Sequence, residues 1–193
     1  MRFRIGPWFV GLLFLLILLD KTALPLALAA AVAIHEGGHL LAAWLLGAKC
    51  RAFRIGLTGL TLDFDYSRLS YGRECLIQLA GSGAGLVSIW IAACFGESMA
   101  YYAVCALCLN MINLLPIVGL DGGAVLSSLL HMCMEETAAV RICRGVSLGT
   151  AVFLWLCALW ICLRTEGNIT VLICGVFFLV KSLLAYGIPK ERE

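Results

Sequence analysis

Long apolar runs separated by short polar segments dominate this chain. Of its 193 residues, 62% are hydrophobic and only 13% are charged. A water-soluble domain of this length needs more polar surface, so the composition indicates that the lipid bilayer is the solvent. The apolar runs predict six membrane spans, at roughly 5–19, 22–47, 74–95, 99–130 (interrupted), 146–163 and 168–187. We therefore predict an all-α polytopic membrane protein in which residues 1–193 form a single domain.

The first run leaves two interpretations open. It is short and follows the basic sequence at positions 1–4, so it is either a retained helix or a signal peptide cleaved at Ala27-Leu28-Ala29. Cleavage there would remove the beginning of the second span. We therefore favour a retained helix.

The distribution of basic residues predicts the orientation in the membrane. With six spans and an internal N-terminus, the outer loops hold only Lys21 and Arg164. The cytoplasmic segments hold Arg2, Arg4, Lys49, Arg51, Arg54, Arg68, Arg73, Arg141, Arg144, Lys190 and Arg192. This bias predicts that both termini lie in the cytoplasm. The net charge of +2 gives no reason to expect a nucleic-acid partner.

The polar stretch at about 48–73 has a pattern of its own. Apolar residues occupy alternate positions in 53–57 and again in 60–64, and Thr58-Gly59 lies between the two runs. Alternation of period two around a glycine turn predicts a short β-hairpin on the cytoplasmic membrane surface, with an irregular amphipathic loop as the alternative. A hairpin edge could pair with a substrate strand.

Small residues are concentrated at 79–85, near the beginning of the third span. Residues of this size let helices approach closely, or they allow a local break in the helix. We favour close helix packing.

The second span contains a group of ionisable residues, His35-Glu36-Gly37-Gly38-His39. Residues four positions apart share one face of a helix, so the imidazoles of His35 and His39 can bind one metal ion. Glu36 can reach a water at the metal and take its proton. An ionisable residue within a membrane span costs on the order of 2.5–3.5 kcal/mol and is functional by default. The segment therefore predicts a catalytic metal site.

A third ligand is required, because hydrolytic zinc sites use three protein ligands and leave a fourth position for water. No His or Glu lies between the second span and residue 73, and the acids there fall in the predicted hairpin. Besides Glu36, Asp121 is the only acidic residue well inside an apolar span. At the rise per residue of an α-helix, His39 lies roughly 12 Å from the inner end of its span, and Asp121 lies roughly 13 Å from the inner end of its own. This matching depth favours Asp121 as the third ligand.

The fourth span is interrupted just before that carboxylate. Pro116 removes a backbone donor, and nearby glycines loosen the helix further. Irregular backbone at membrane depth is tolerated where it lines a cavity or is covered by protein, so the interruption predicts part of a site. A kinked packing helix, with Asp121 hydrogen-bonded to a neighbour, is the alternative. Asn113 either holds a substrate carbonyl or oxyanion or bonds between helices, whereas for Asn110 we favour the interhelical bond.

Together, these motifs resemble the site-2 protease family of intramembrane zinc metalloproteases, peptidase family M50. That family pairs His-Glu-x-x-His in one transmembrane helix with Asn-x-x-Pro…Leu-Asp-Gly in a later one. The matching residues are His35, Glu36 and His39 in the first motif and Asn113, Pro116, Leu120, Asp121 and Gly122 in the second. The resemblance covers about 22–130, which is the expected catalytic core, and the other spans are accessory helices. The compact form looks nearest to the bacterial branch that processes sporulation sigma-factor precursors.

The resemblance implies that His35, His39 and Asp121 hold one Zn²⁺ and that Glu36 is the general base. It also implies hydrolysis of a peptide bond in or near a transmembrane segment of a membrane-associated protein substrate, close to the cytoplasmic face. Membrane regulatory proteins are further expected partners. A client-binding relative without activity and a membrane metal transporter or sensor remain as alternatives. The intact Glu36 argues against the first, and the lack of further ligands in other spans argues against the second.

Overall fold

A computed structural model describes residues 2–5, 23–56, 59–67, 69–164 and 169–184. The chain order is β1 (Arg2–Ile5), α1 (Leu24–Leu46), β2 (Lys49–Gly56), β3 (Gly59–Asp65), α2 (Tyr71–Ala93), a 3₁₀-helix (Gly96–Met99), α3 (Ala100–Asn113), α4 (Asp121–Cys133), α5 (Glu136–Arg164) and α6 (Ile169–Leu184). The chain divides into two compact units, Met1–Asn113 and Leu114–Glu193.

The predicted class, an all-α polytopic membrane protein, is confirmed. Within the described residues, α1, α2 and α5 are long and apolar enough to cross a bilayer, and 172–184 forms a shorter apolar helix. At 1.5 Å per residue, the 23 residues of α1 extend about 35 Å, more than the hydrocarbon thickness. Large apolar side chains such as Trp90 and Phe153 are exposed along these helices, as expected where lipid is the solvent.

Two predicted spans differ in detail from the structure. The fourth is interrupted as expected, because α3 ends at Asn113 and α4 begins at Asp121, with non-helical residues 114–120 between them. The first was predicted to begin at Ile5, which instead ends β1. The rest of that predicted span lies outside the described residues.

The predicted hairpin is confirmed. β2 and β3 pair in antiparallel register from Lys49↔Asp65 to Gly56↔Gly59, with an irregularity between Cys50 and Ala52. β1 adds a third strand that the sequence did not predict, and it pairs parallel to β2 from Arg2↔Ala52 to Ile5↔Ile55. In the order β1-β2-β3, β3 is an edge strand of the described sheet.

Local signals explain where α1 begins and ends. Pro25 lies in its first turn, where a missing N–H costs nothing. At the other end, Gly47 adopts φ +80° and the Ala48 N–H donates to the Ala43 carbonyl at 2.8 Å. This left-handed cap is the usual way in which a glycine ends a helix. The helix therefore ends at Leu46, seven residues after His39, one residue before the predicted end near Gly47.

Close helix contacts organise the first unit, as the small residues at 79–85 predicted. α2 is a continuous helix over this stretch, so there is no local break. Gly38 of α1 lies against Ala80 and Ala84 of α2, and an added Cβ would overlap the Ala80 carbonyl. Only a glycine permits this approach.

In the second unit, α5 packs against both α4 and α6. The buried face of α5 carries small residues at Ala139, Cys143, Ser147 and Ala151. Gly175 of α6 lies close to Ala158 and Trp155 of α5. Small side chains on both helices therefore bring the two backbones close together.

Candidate metal centre

His35 and His39 lie one turn apart on α1 and are almost completely buried, with 3% and 5% exposure. Their Nε2 atoms are 3.3 Å apart. The ring planes are nearly perpendicular, at 86°, with centroids 4.9 Å apart. The predicted pair of imidazoles therefore converges through the same nitrogen of each ring.

The partners of the other two nitrogens assign the tautomers. His39 Nδ1 lies 2.8 Å from the Ile77 carbonyl, which can only accept, so Nδ1–H donates. His35 Nδ1 lies 2.9 Å from Asn110 Oδ1. The Asn110 amide is oriented by its Nδ2, which donates to the Ala106 carbonyl at 2.6 Å, so Oδ1 accepts from His35. Both neutral rings are thus left with Nε2 as an acceptor.

This arrangement fits a tetrahedral metal ion. Two nitrogen lone pairs facing each other across 3.3 Å are unfavourable without a cation between them. Two imidazoles at the usual zinc–nitrogen distance, in tetrahedral geometry, have their nitrogens about 3.3 Å apart. Nδ1–H donation to a carbonyl oxygen is the common way of orienting a histidine ligand. The donor chemistry and the spacing of the pair both match such an ion.

Two glycines on α2 make room for the pair. A Cβ added at Gly81 would overlap the His39 imidazole, and one added at Gly85 would overlap the Asn110 amide. By contrast, a Cβ at Gly83 would meet nothing within 4 Å. The small residues of the third span therefore accommodate the side chains of the centre as well as the neighbouring helix.

Two other predicted site residues lie in this first unit. Glu36 follows His35 on α1 and is half-buried. Asn113, also half-buried, is the last residue of α3, and its Nδ2 lies 3.3 Å from His35 Nε2. The structure therefore places Asn113 beside the converging nitrogens.

Asp121 lies in the second unit, where it is the first residue of α4 and is half-buried. The chain reaches it through Gly119, which has φ +83°. A Cβ at Gly122 would overlap the Leu114 carbonyl, and one at Gly123 would overlap the Ile117 carbonyl. The glycines around Asp121 are thus required because residues 114–118 fold back against the beginning of α4.

Comparisons with known proteins agree with the family that the motifs indicated. Residues 77–157 match the model of peptidase family M50. This match includes Asn113 and Asp121 but excludes His35–His39, so the first motif is an independent observation. Over these residues, the chain is similar to peptidase family M50. Together with the apolar helices, this similarity supports an intramembrane metalloprotease.

A solved structure shares the fold of this chain. The site-2 protease from Methanocaldococcus jannaschii is similar with a TM-score of 0.70 and 17% identity, over 100% of this chain and 95% of that one. At this level of identity, the similarity concerns the fold. No curated protein sequence matches the chain.

Sequence reasoning missed some of the groups that orient the two histidines. Asn110 was predicted to bond between helices, and it does, but its partner on α1 is His35. Its place on the same face of α3 as Asn113 was the available signal. The role of the Ile77 carbonyl could not be predicted from the sequence, because every residue carries a carbonyl. Which carbonyl lies beside His39 depends on how α1 and α2 pack.

Proposed function

We propose that this chain is a zinc metalloendopeptidase that hydrolyses a peptide bond in or near a transmembrane segment of a membrane-associated protein, close to the cytoplasmic face. The observation that carries the proposal is the convergence of two buried, Nδ1-bonded histidines at 3.3 Å on an apolar helix. Such a pair is expensive to bury and has the spacing of metal ligands.

Asp121 is the proposed third ligand. The Asn113…Asp121 motif lies within the part of the chain that matches family M50. Two neutral imidazoles and one carboxylate form a usual ligand set for catalytic zinc, with one position left for water. When bound, zinc would supply Lewis-acid chemistry, polarising the scissile carbonyl and making a water acidic enough to ionise.

The chain's own residues would carry the proton transfers and the binding of the substrate. Glu36, next to His35, takes the proton of the attacking water and later passes it to the leaving amine. The Asn113 amide, close to His35 Nε2, donates to the substrate carbonyl oxygen as that oxygen becomes negative. A helical substrate must unwind first, because its carbonyls are already hydrogen-bonded within the helix.

The unwound substrate needs partners for its backbone, and the edge strand β3 could provide them by adding the substrate as a further strand. The bias of basic residues supports cytoplasmic termini, and so a cytoplasmic C-terminal end of α1. Because His39 lies only seven residues before that end, we infer cleavage near the inner face of a bacterial membrane. Membrane-bound regulators and a sporulation sigma-factor precursor belong among the partners to be tested.

The test compares purified wild-type protein with Glu36→Gln, with zinc measured in both. Each is reconstituted in liposomes with single-span membrane proteins from the same genome, including any sigma-factor precursor, and new chain ends are identified by mass spectrometry. We expect about one zinc per chain in both proteins and cleavage by wild type only, since Gln cannot accept the proton. Glu97→Gln, a change outside the site, should cleave like wild type.

Equal cleavage by wild type and Glu36→Gln would contradict the assigned base. Stoichiometric zinc without cleavage of any tested protein would instead favour a client-binding relative without activity.

A further inference from the structure

The second unit contains a polar network that the proposed chemistry does not use. Residues 114–120 are non-helical and lead directly into Asp121. We propose that Ser147 of α5 and Lys181 and Ser182 of α6 form a polar latch that holds this segment and thereby positions Asp121. The inference rests on the proposed function only in treating Asp121 as a metal ligand.

The backbone of the segment satisfies part of its own hydrogen bonding. The Ile117 N–H donates to the Leu115 carbonyl at 2.7 Å, and the Leu120 N–H donates to the Ile117 carbonyl at 3.0 Å. Pro116 has no N–H to satisfy. The Val118 N–H instead donates outside the segment, to Ser147 Oγ at 3.0 Å. Because lipid offers no replacement partner, this bond from α5 is needed to keep the segment non-helical at membrane depth.

The bond from Val118 continues through a buried pair of hydroxyls. Ser147 and Ser182 are 1% and 0% exposed, and their Oγ atoms lie 3.0 Å apart. Since Ser147 Oγ already accepts from Val118, its own proton is available to Ser182. The segment is therefore connected through α5 to α6.

Lys181 of α6 holds the next residue of the segment, Gly119. Its Nζ donates to the Gly119 carbonyl at 3.1 Å. Gly119 has φ +83°, and a Cβ there would lie 2.7 Å from Lys181 Cε, so the contact also depends on a glycine. A cation within an apolar helix is costly and usually has a role. Here it binds a carbonyl two residues before Asp121.

The latch therefore holds consecutive residues of the segment, the N–H of Val118 from α5 and the carbonyl of Gly119 from α6. Leu120, bonded back to Ile117, then joins the held peptides to Asp121. With its backbone constrained on this side, Asp121 begins α4 in one orientation. The last two helices, predicted to be accessory, would thus determine where a catalytic ligand lies.

Hydrogen exchange tests the latch without relying on activity. In full-length protein in detergent, we expect Ser147→Ala and Lys181→Met to increase amide exchange in 117–120 by about tenfold or more, because the segment opens more often. Ser147→Thr keeps a hydroxyl that can accept from Val118, and Lys181→Arg keeps a donor, so both should exchange like wild type. Thr150→Val, on the same helix but outside the latch, is the matched control and should also leave exchange unchanged. Exchange in Ser147→Ala and Lys181→Met equal to wild type would overturn the latch.

Zinc retention against a chelator tests the positioning role. We expect Ser147→Ala and Lys181→Met to retain zinc about 10–100-fold more weakly than wild type, with recovery in Ser147→Thr and Lys181→Arg. Faster exchange with unchanged zinc retention would overturn the positioning role. Asp121→Asn, measured in parallel, separates the two proposals. If this variant retains zinc like wild type, Asp121 is not a ligand, whereas the latch is still tested by the hydrogen-exchange data.

Discussion

At the residue scale, the candidate centre depends on which nitrogen of each imidazole keeps its proton. The Ile77 carbonyl and the Asn110 amide hold the two Nδ1–H groups, so both Nε2 atoms are acceptors directed at each other. Residues that never touch substrate can therefore decide whether His35 and His39 bind metal. Substituting a hydrogen-bond partner tests whether the orientation of an imidazole matters for metal binding. Substituting the histidine itself tests only whether the imidazole is needed.

Asn110→Leu should weaken zinc binding about 10–100-fold, because His35 would lose the acceptor that selects its tautomer. Asn110→Asp should restore most of the affinity, since a carboxylate also accepts from Nδ1–H. Chelator competition measures the affinity, and the visible spectrum of the cobalt-substituted protein reports the ligand geometry. Equal affinity in Asn110→Leu and wild type would show that Asn110 only joins the helices.

Gly81→Ala should reduce zinc content and activity strongly, because the added methyl overlaps the His39 ring. Gly83→Ala is the matched control on the same helix, and its Cβ meets nothing within 4 Å. It should keep full zinc content and gain slightly in helix stability, by up to about 1 kcal/mol. Zinc content measured by atomic absorption decides the question, and similar losses in both variants would contradict the steric explanation.

At the scale of elements, the hairpin and the metal centre share a core. Phe64 at the end of β3 packs in one buried cluster with Ala43 of α1 and Ile77 of α2. Ile77 is the residue whose carbonyl holds His39. The edge strand therefore packs against the residue whose carbonyl supports His39. Interactions that stabilise this end of the hairpin therefore bear on the residue that supports His39.

Asp65 stabilises that hairpin end. Its carboxylate accepts from the Ser67 hydroxyl and N–H, and its other oxygen pairs with Arg51 at 2.9 Å. Hydrogen bonds from Ser67, with a further contribution from Arg51, lower the pKa of Asp65 to about 2. Because the folded-state pKa is below the ordinary value of 3.8, this contribution is complete above about pH 4 and is lost as the pH falls towards 2.

Asp65→Asn should therefore increase amide exchange in 49–65 at neutral pH, by about twofold to fivefold, because the pair is exposed to solvent. In wild type, the protection, corrected for intrinsic exchange rates, should decline between pH 4 and 2, and the variant should lack this decline. Glu97→Gln, in the 3₁₀-helix, serves as the control. If Asp65→Asn shows the same decline in protection between pH 4 and 2 as wild type, Asp65 is not the source of that decline.

At the scale of the whole molecule, a metal that binds only the folded protein stabilises it by mass action. With free zinc at about 100 times its dissociation constant, the gain is roughly 2.7 kcal/mol. For a chain of this size, chelation should lower the unfolding midpoint by roughly 5–10 °C. His39→Leu should have a lower midpoint that no longer responds to the chelator. A chelator response of equal size in both proteins would place the stabilising metal elsewhere.

Features that depend on local properties follow from the amino-acid sequence alone. Apolar run length indicated the membrane helices, alternation indicated the β2–β3 hairpin, and Pro116 with its glycines indicated the interruption before Asp121. The spacing of His35 and His39 also predicted a shared face, because helical periodicity is local. Each of these follows from neighbours along the chain.

Contacts between distant residues, by contrast, depend on how the helices and strands pack. His35 and Asn110 are separated by 75 positions, and Ser147 and Ser182 by 35. The parallel pairing of β1 with β2 is equally non-local. A hydrogen bond of this kind depends on where two backbones meet, which follows from the packing of whole helices and strands. For that reason the sequence named the candidate ligands, while the fold selected the groups that orient the two histidines.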